Sequence, residues 1–348
     1  MKKLISFLVL IILLIFFVFY SLANIYIPLH SSPGDERIVN LEKGQGSREI
    51  TSLLKKEGLI KSKFSFLLYV SLKRKSDKLQ SGPYSLNTSM NIPQIVEKLV
   101  RGDILKEKIT IVEGWNLKDI SEYFEKRGMF SAKEFFEKTG SPGIDYRKVK
   151  NLAGPKDFSQ DFNFIREKPI YIGLEGYLFP DTYEIAMGEN LENIIQRMLS
   201  NFDSKLKKEM REEIQMQGKS IFEIVTMASL IEKEVKTLED KKIVSGILWK
   251  RLRVGMPLQV DATIIYLTGK RTTKVSIEET QIDSPYNTYK NKGLPFGPIA
   301  NPGLDSILAA IYPQESKYFY YLSMPDGKTI FSKTLKEHNL AKAKYLKP

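Results

Sequence analysis

Residues 227–235, MASLIEKEV, set one acid among apolar neighbours. At 100° per residue, Ile221, Ile224, Val225, Met227, Ala228, Ile231 and Val235 share one arc of a helix, and Glu232 falls inside it beside Val225 and Ala228. Glu223 and Glu234 fall outside the arc or at its edge. An ionised carboxylate without a partner is costly to desolvate, so Glu232 is paired, exposed, or there for chemistry. In the chemical case, burial against apolar side chains would raise its pKa and suit it to deliver a proton. The paired case is a salt bridge to Lys or Arg at the edge of the core.

The composition narrows the chemistry. The 348 residues include no cysteine, which excludes disulfides, a thiol nucleophile and thiolate metal ligands. With only His30 and His338, a His-rich zinc site is excluded, and a Ser-His-Asp triad would have to use His338. Packing or surface duty is the expectation for His338. Neither a metal nor a cofactor is expected. The net charge of +12 suits an anionic lipid or wall polymer.

The elements that must position the acid follow from patterning. Lys2 and Lys3 precede an uncharged stretch, residues 4–27, long enough to cross a bilayer as a helix. A cleaved signal peptide is the competing reading, since Ser21, Leu22 and Ala23 offer small residues at a suitable spacing. In either case the two lysines hold the start in the cytoplasm and put the working part of the chain across the membrane, where no nucleic-acid partner is expected. Residues 28–37 read as a linker. Two strand–turn–helix units then repeat at an offset of 70, aligning Gly44 with Gly114, Ile50 with Ile120, Leu54 with Phe124 and Gly58 with Gly128. Between them, a strand and a helix capped by Asn91, with Pro93 in its first turn and Gly102 at its end, complete a small module over 38–107. The spacing predicts one charged helical stretch over 191–218 and a helix over 221–236, with a loop-rich span over 139–168. Residues 255–269 and 284–303 are dense in Gly, Pro, Asn and Tyr and read as a rigid wall of amide and hydroxyl groups, or as an Ω-type loop packed on itself. The fold class expected is α+β.

Four blocks in this order, LEGYLFPDTYE (174–184), MASLIEKEV, LQVDATIIY (258–266) and SPYNTYKNKGLPFGPIANPG (284–303), resemble the YceG-like (MltG) family of membrane-anchored endolytic murein transglycosylases. The resemblance runs from the anchor to Glu337–Asn339. It implies a single-pass transmembrane anchor over 1–27 in the cytoplasmic membrane, a LysM-like module over 38–107 and an extracytoplasmic α+β catalytic domain over 108–348. It also implies cleavage of the MurNAc–GlcNAc β-1,4 bond inside peptidoglycan glycan strands to leave 1,6-anhydro ends, with peptidoglycan synthases as candidate partners. The catalytic glutamate it implies is the first Glu of EKE, Glu232. Phe296 and Ala262 stand where the family commonly has Pro.

Further candidates surround the acid. Asn287 and Tyr289 could hydrogen-bond N-acetyl groups or ring hydroxyls, Tyr286 could stack on a sugar, and Gln259 and Asp261 could orient the acid or the sugar. Loop scaffolding is the competing duty for each. Glu175 or Asp181 could supply the second carboxylate of a muramidase-type hydrolase, although such residues more often cap helices or close turns. A non-catalytic wall-binding scaffold is the reading from another class.

Overall fold

The computed structural model describes residues 2–30, 33–149, 154–270, 272, 274–324 and 326–345. It is a mixed α/β fold, with three two-stranded sheets among the described residues. The chain forms two compact units, residues 1–109 with 184–189, and residues 110–183 with 190–348.

The first unit begins with α1 (Lys2–Tyr26), a helix long and apolar enough to cross a membrane. Its side chains are exposed along most of its length, but Ile25 joins the core of the unit. That core lies between β1 (Glu36–Leu41), α2 (Ser47–Lys56), α3 (Lys63–Leu72), β2 (Gly82–Asn87) and α4 (Ile92–Arg101). β1 pairs antiparallel with β2, with Val39 opposite Tyr84. Asn91 caps α4 by accepting from Gln94 N–H at 3.0 Å, and Gly102 ends it in the left-handed region, as its sequence requires. Because Ile25 and α4 share the core with the β–α–α–β segment, no distinct LysM-like module stands out in the strand layout. β3 (Lys106–Thr110) pairs with β4 (Thr182–Ala186), and Met187 N–H donates to Leu105 O at 3.0 Å.

The second unit opens with α5 (Leu117–Lys126) and α6 (Ala132–Thr139). α5 lies 70 positions after α2, and Gly58 and Gly128 follow the two helices with φ +68° and +65°, the backbone conformation that residue type supplies at a helix end. The span from 140 to 168 is loop, apart from a 3-10 turn at Asn163–Ile165, among the described residues. The stretch over 191–218 is two helices, α7 (Leu191–Lys205) and α8 (Lys208–Met216). At the break Arg211 folds back to donate to Leu206 O at 2.6 Å and Asp203 O at 2.8 Å, satisfying carbonyls at the end of α7.

α9 (Ile221–Glu234) is the central helix of this unit and packs against α10 (Leu238–Arg253), α11 (Asp261–Thr268) and α12 (Leu304–Ile311). β5 (Tyr320–Ser323) pairs antiparallel with β6 (Thr329–Ser332), and α13 (Leu335–Tyr345) packs on both. The 174–184 block is locked to the 284–303 loop through Asn301, whose Oδ1 accepts from Leu178 N–H at 2.9 Å. Gly176, at φ +85°, lies so close to the loop that a Cβ would sit 2.5 Å from Pro298 and 2.9 Å from Val225. Gly176→Ala therefore meets both strain and overpacking, and is expected to destabilise the second unit by about 1–3 kcal/mol. Thermal melting of the variant checks this.

Candidate active site

α9 starts on a capping box. Ser220 Oγ accepts from Glu223 N–H, and Glu223 Oε2 accepts from Ser220 N–H at 2.8 Å. This accounts for Glu223 without chemistry. Ile224, Val225, Met227, Ala228, Leu230 and Ile231 are fully buried along the helix. Ser229 Oγ, also buried, accepts from Ile299 N–H at 3.1 Å and ties α9 to the 284–303 loop.

Glu232 turns into this packing. Lys241 Nζ lies 3.3 Å from both of its carboxylate oxygens, and the side chains are 9% and 4% exposed. Its Oε2 also accepts from Gly303 N–H at 3.0 Å and Ser306 Oγ at 2.6 Å. Three of these four contacts fall on Oε2, while Oε1 is held by Lys241 alone, so fixed donors anchor the carboxylate chiefly through one oxygen. In this structure Glu232 is thus the paired, salt-bridged acid at the core's edge.

Glu234, two residues on, faces the other way. It is half-buried, and burial pushes its carboxyl up to about 7, against hydrogen bonds from the Tyr321 hydroxyl and the Ala262 N–H and the charge of Arg251, and with help from the charge of Asp261. These neighbours come from β5, the start of α11 and α10. Arg251 fixes the surroundings by donating to Phe319 O at 2.8 Å and Leu258 O at 2.6 Å. An acid that is enclosed, partly open to solvent and titrating near neutral pH has the properties a general acid needs. Patterning missed Glu234 and Tyr321, because the partners that set their environment lie far along the chain.

The other candidates divide. Asp261 is exposed, opens α11 and accepts a hydrogen bond from the Tyr289 hydroxyl. Gln259 is exposed beside it with φ +52°, a strained conformation for this residue type that is common at functional sites. Its N–H donates to Thr288 O at 3.0 Å, and Thr288 Oγ1 accepts from Val260 N–H at 3.0 Å. Buried Thr288, not singled out by the sequence, thus laces the 258–266 block to the 284–303 block. Asn287 is fully buried and spends its amide on Thr280 O and Ile282 O, at 2.9 and 2.7 Å, while its Oδ1 takes Tyr289 N–H. Tyr286 is 3% exposed, its ring 5.2 Å from that of Tyr266 and 5.7 Å from that of Phe296. These two scaffold the loop, and neither an amide nor a free ring face remains for a sugar. Phe296 completes that aromatic cluster.

Neither proposed second carboxylate is free for chemistry. Glu175 accepts from Leu117 N–H and from the Tyr266 hydroxyl, both at 3.0 Å, and burial pushes it up to about 8. It caps α5 from outside. Asp181 closes a turn on Thr182 N–H at 2.8 Å and holds Asn201 at 3.0 Å. His338 stacks on Tyr320 with ring centres 5.4 Å apart, a packing role. No group of three or more His, Asp or Glu able to hold a metal occurs among the described residues.

Ala262 generates a test. Its N–H is among the first-turn donors of α11 that no intrahelical carbonyl uses, so Pro fits there sterically but cannot hydrogen-bond Glu234. Ala262→Pro is expected to raise the pKa of Glu234 further and move the alkaline limb of the pH–activity profile to higher pH. The measurement is kcat/KM against pH for the variant and the parent protein.

The YceG-like family model matches residues 39–344. An endolytic murein transglycosylase of Bacillus subtilis (strain 168) is 38% identical over 311 residues, covering 88% of this chain and 84% of that protein. An endolytic murein transglycosylase of Streptococcus pneumoniae (strain D39) is 30% identical over 96% of this chain, which spans 63% of the longer streptococcal protein. The 2.6 Å crystal structure of a YceG-like protein from Listeria monocytogenes matches with a TM-score of 0.58 and 32% identity, over 89% of this chain and all of that one.

Proposed function

The chain belongs to the YceG-like family, and from that premise we infer that it is an endolytic murein transglycosylase whose general acid is Glu234. The observation that carries the residue assignment is the half-buried Glu234 carboxyl, pushed up to about 7 beside Tyr321, Asp261 and the Ala262 N–H.

Cleavage of a glycosidic bond needs a proton on the leaving oxygen and a nucleophile for the oxocarbenium-like carbon. Glu234, protonated near neutral pH, delivers the first. The C6 hydroxyl of the muramic acid provides the second from within the substrate, with the large advantage of proximity. Glu234, now ionised, takes the proton of that hydroxyl, and the 1,6-anhydro ring closes. A pKa close to the working pH serves both steps. Asp261, Tyr289 and Gln259 are the groups we assign to orienting the sugar or the acid, while Tyr286, Asn287 and Thr288 hold their loop in shape.

A muramidase reading has one observation in its favour: the charge of Asp261 reaches Glu234, as a second carboxylate would. It is the weaker reading because Asp261 is engaged by the Tyr289 hydroxyl. A non-catalytic scaffold is the weaker reading because the matching relatives are endolytic murein transglycosylases.

α1 is proposed as the single-pass anchor in the cytoplasmic membrane, with the second unit outside, supported by its length, apolarity and the Lys2–Lys3 flank. This would restrict cutting to glycan strands near the membrane surface. A LysM-like, glycan-binding role for residues 38–107 is proposed from the family resemblance, whose model reaches from residue 39. Peptidoglycan synthases remain the proposed protein partners.

The acid assignment and the reaction class are tested together. Glu234→Gln keeps size and polarity without a transferable proton, and is expected to lose at least about 100-fold in turnover. The parent protein is expected to give mixed-length glycan fragments with 1,6-anhydro ends and to lose activity as pH rises through about 7. Mass spectrometry with borohydride reduction reads the ends; dominant reducible ends would establish hydrolysis instead. Stability carries the opposite signature. The folded pKa of Glu234, about 7, exceeds the ordinary 4.5, so its favourable contribution is full below pH 4.5 and lost as pH rises through 7. Glu234→Gln removes that penalty, and its melting temperature is expected to gain on the parent at pH 8 but not at pH 4.

A further inference from the structure

The last turn of α9 is tied down on several sides, and Glu232 is the centre of the tie. α12 begins at Gly303, a residue with no side chain to cap it. A Cβ at that position would lie 2.1 Å from Glu113 Oε1, so a larger cap would have to displace the Glu113 carboxylate. Glu232 supplies the missing anionic cap from a neighbouring helix, through Gly303 N–H at 3.0 Å and Ser306 Oγ at 2.6 Å. Lys241, in the first turns of α10, closes the arrangement at 3.3 Å. On the same turn Lys233 Nζ donates to Gly114 O at 3.1 Å, and the Glu234 carbonyl accepts from Ser323 Oγ at 2.9 Å.

A buried ion pair is weak evidence for stability, because packed apolar residues usually do as well. What it provides is direction. Residues two apart on a helix point about 200° from each other, so fixing Glu232 against α10 and α12 fixes where Glu234 points. We propose that the Glu232–Lys241 pair is a positioning device for the reaction: it sets the rotation and depth of the last turn of α9 so that the Glu234 carboxyl meets Tyr321 and the Ala262 N–H.

The proposal rests on Glu234 as the acid, and the experiment separates the two claims. Glu232→Gln, Lys241→Met, the double variant and Ser306→Ala are made in the full chain in detergent, with melting temperature, kcat, KM and the pH profile measured on uncrosslinked glycan. Glu232→Gln keeps the contacts to Gly303 and Ser306 but strands the Lys241 charge; Lys241→Met strands the carboxylate. Each single variant is expected to lose on the order of 10- to 100-fold in kcat with KM little changed. Their alkaline limb should move to higher pH, because the hydrogen bonds that hold down the pKa of Glu234 are loosened. Ser306→Ala should show the same shift with a smaller loss. The double variant removes both charges and should recover most of kcat and return the limb towards that of the parent. Should Lys241→Met fail to fold, Ser306→Ala and the double variant carry the same readout. Full activity with an unmoved limb in Glu232→Gln overturns the positioning role and leaves Glu234 as the acid. A folded Glu232→Gln as inactive as Glu234→Gln, with no recovery in the double variant, overturns both claims and makes Glu232 the proton donor.

Discussion

One helical turn carries two carboxylates that face different surroundings, and much of the second unit is arranged around that constraint. Glu232 and Glu234 share a backbone segment, yet helix geometry forbids them from facing the same way. One must therefore be absorbed into the packing if the other is to reach a cleft. Lys241, Gly303 N–H and Ser306 absorb Glu232, and α11, β5 and Arg251 shape the space for Glu234. The 284–303 loop serves both sides of the turn. Its end supplies Gly303 to Glu232, while Thr288 and Tyr289 near its start hold the 258–266 block that faces Glu234.

What the sequence revealed and what it hid follow from range. Features decided within a few residues were legible: the caps at Asn91 and Gly102, the membrane-length apolar segment, and the repeat that sets α2 and α5 in register. The break between α7 and α8 was not, because no Pro or Gly marks it and the side chain that answers the α7 carbonyls, Arg211, lies on the next helix. The settings of the two acids were hidden for the same reason. A helical plot asks which carboxylate lies in the apolar arc, and Glu232 does lie there. The plot contains no information about Lys241, nine residues on, which turns that position into an ion pair. Nor can it show Tyr321, which hydrogen-bonds Glu234 and helps enclose that edge position.

The candidate wall shows a related limit. Density in Gly, Pro, Asn and Tyr correctly marks a stiff segment, but it does not say which polar groups point outward. Asn287 and Tyr286 look as suited to sugars as Tyr289 does, yet the first spends every amide hydrogen bond on Thr280, Ile282 and Tyr289 and the second is enclosed by Tyr266 and Phe296. A rigid loop needs internal donors and acceptors of its own, since buried polar groups must be satisfied. Some of the most prominent residues of such a motif are therefore consumed in building it.

With Glu234 proposed as the acid, the same economy bears on how one carboxyl could suffice. A carboxyl that must donate a proton and then recover one works best when neither form is strongly favoured. Burial alone would carry Glu234 past that point, while the Tyr321 hydroxyl, the Ala262 N–H and Arg251 alone would leave it ionised. Their opposition brings it to about 7, where one group can act in both directions. The nucleophile then needs no carboxylate of its own, provided that it arrives with the substrate.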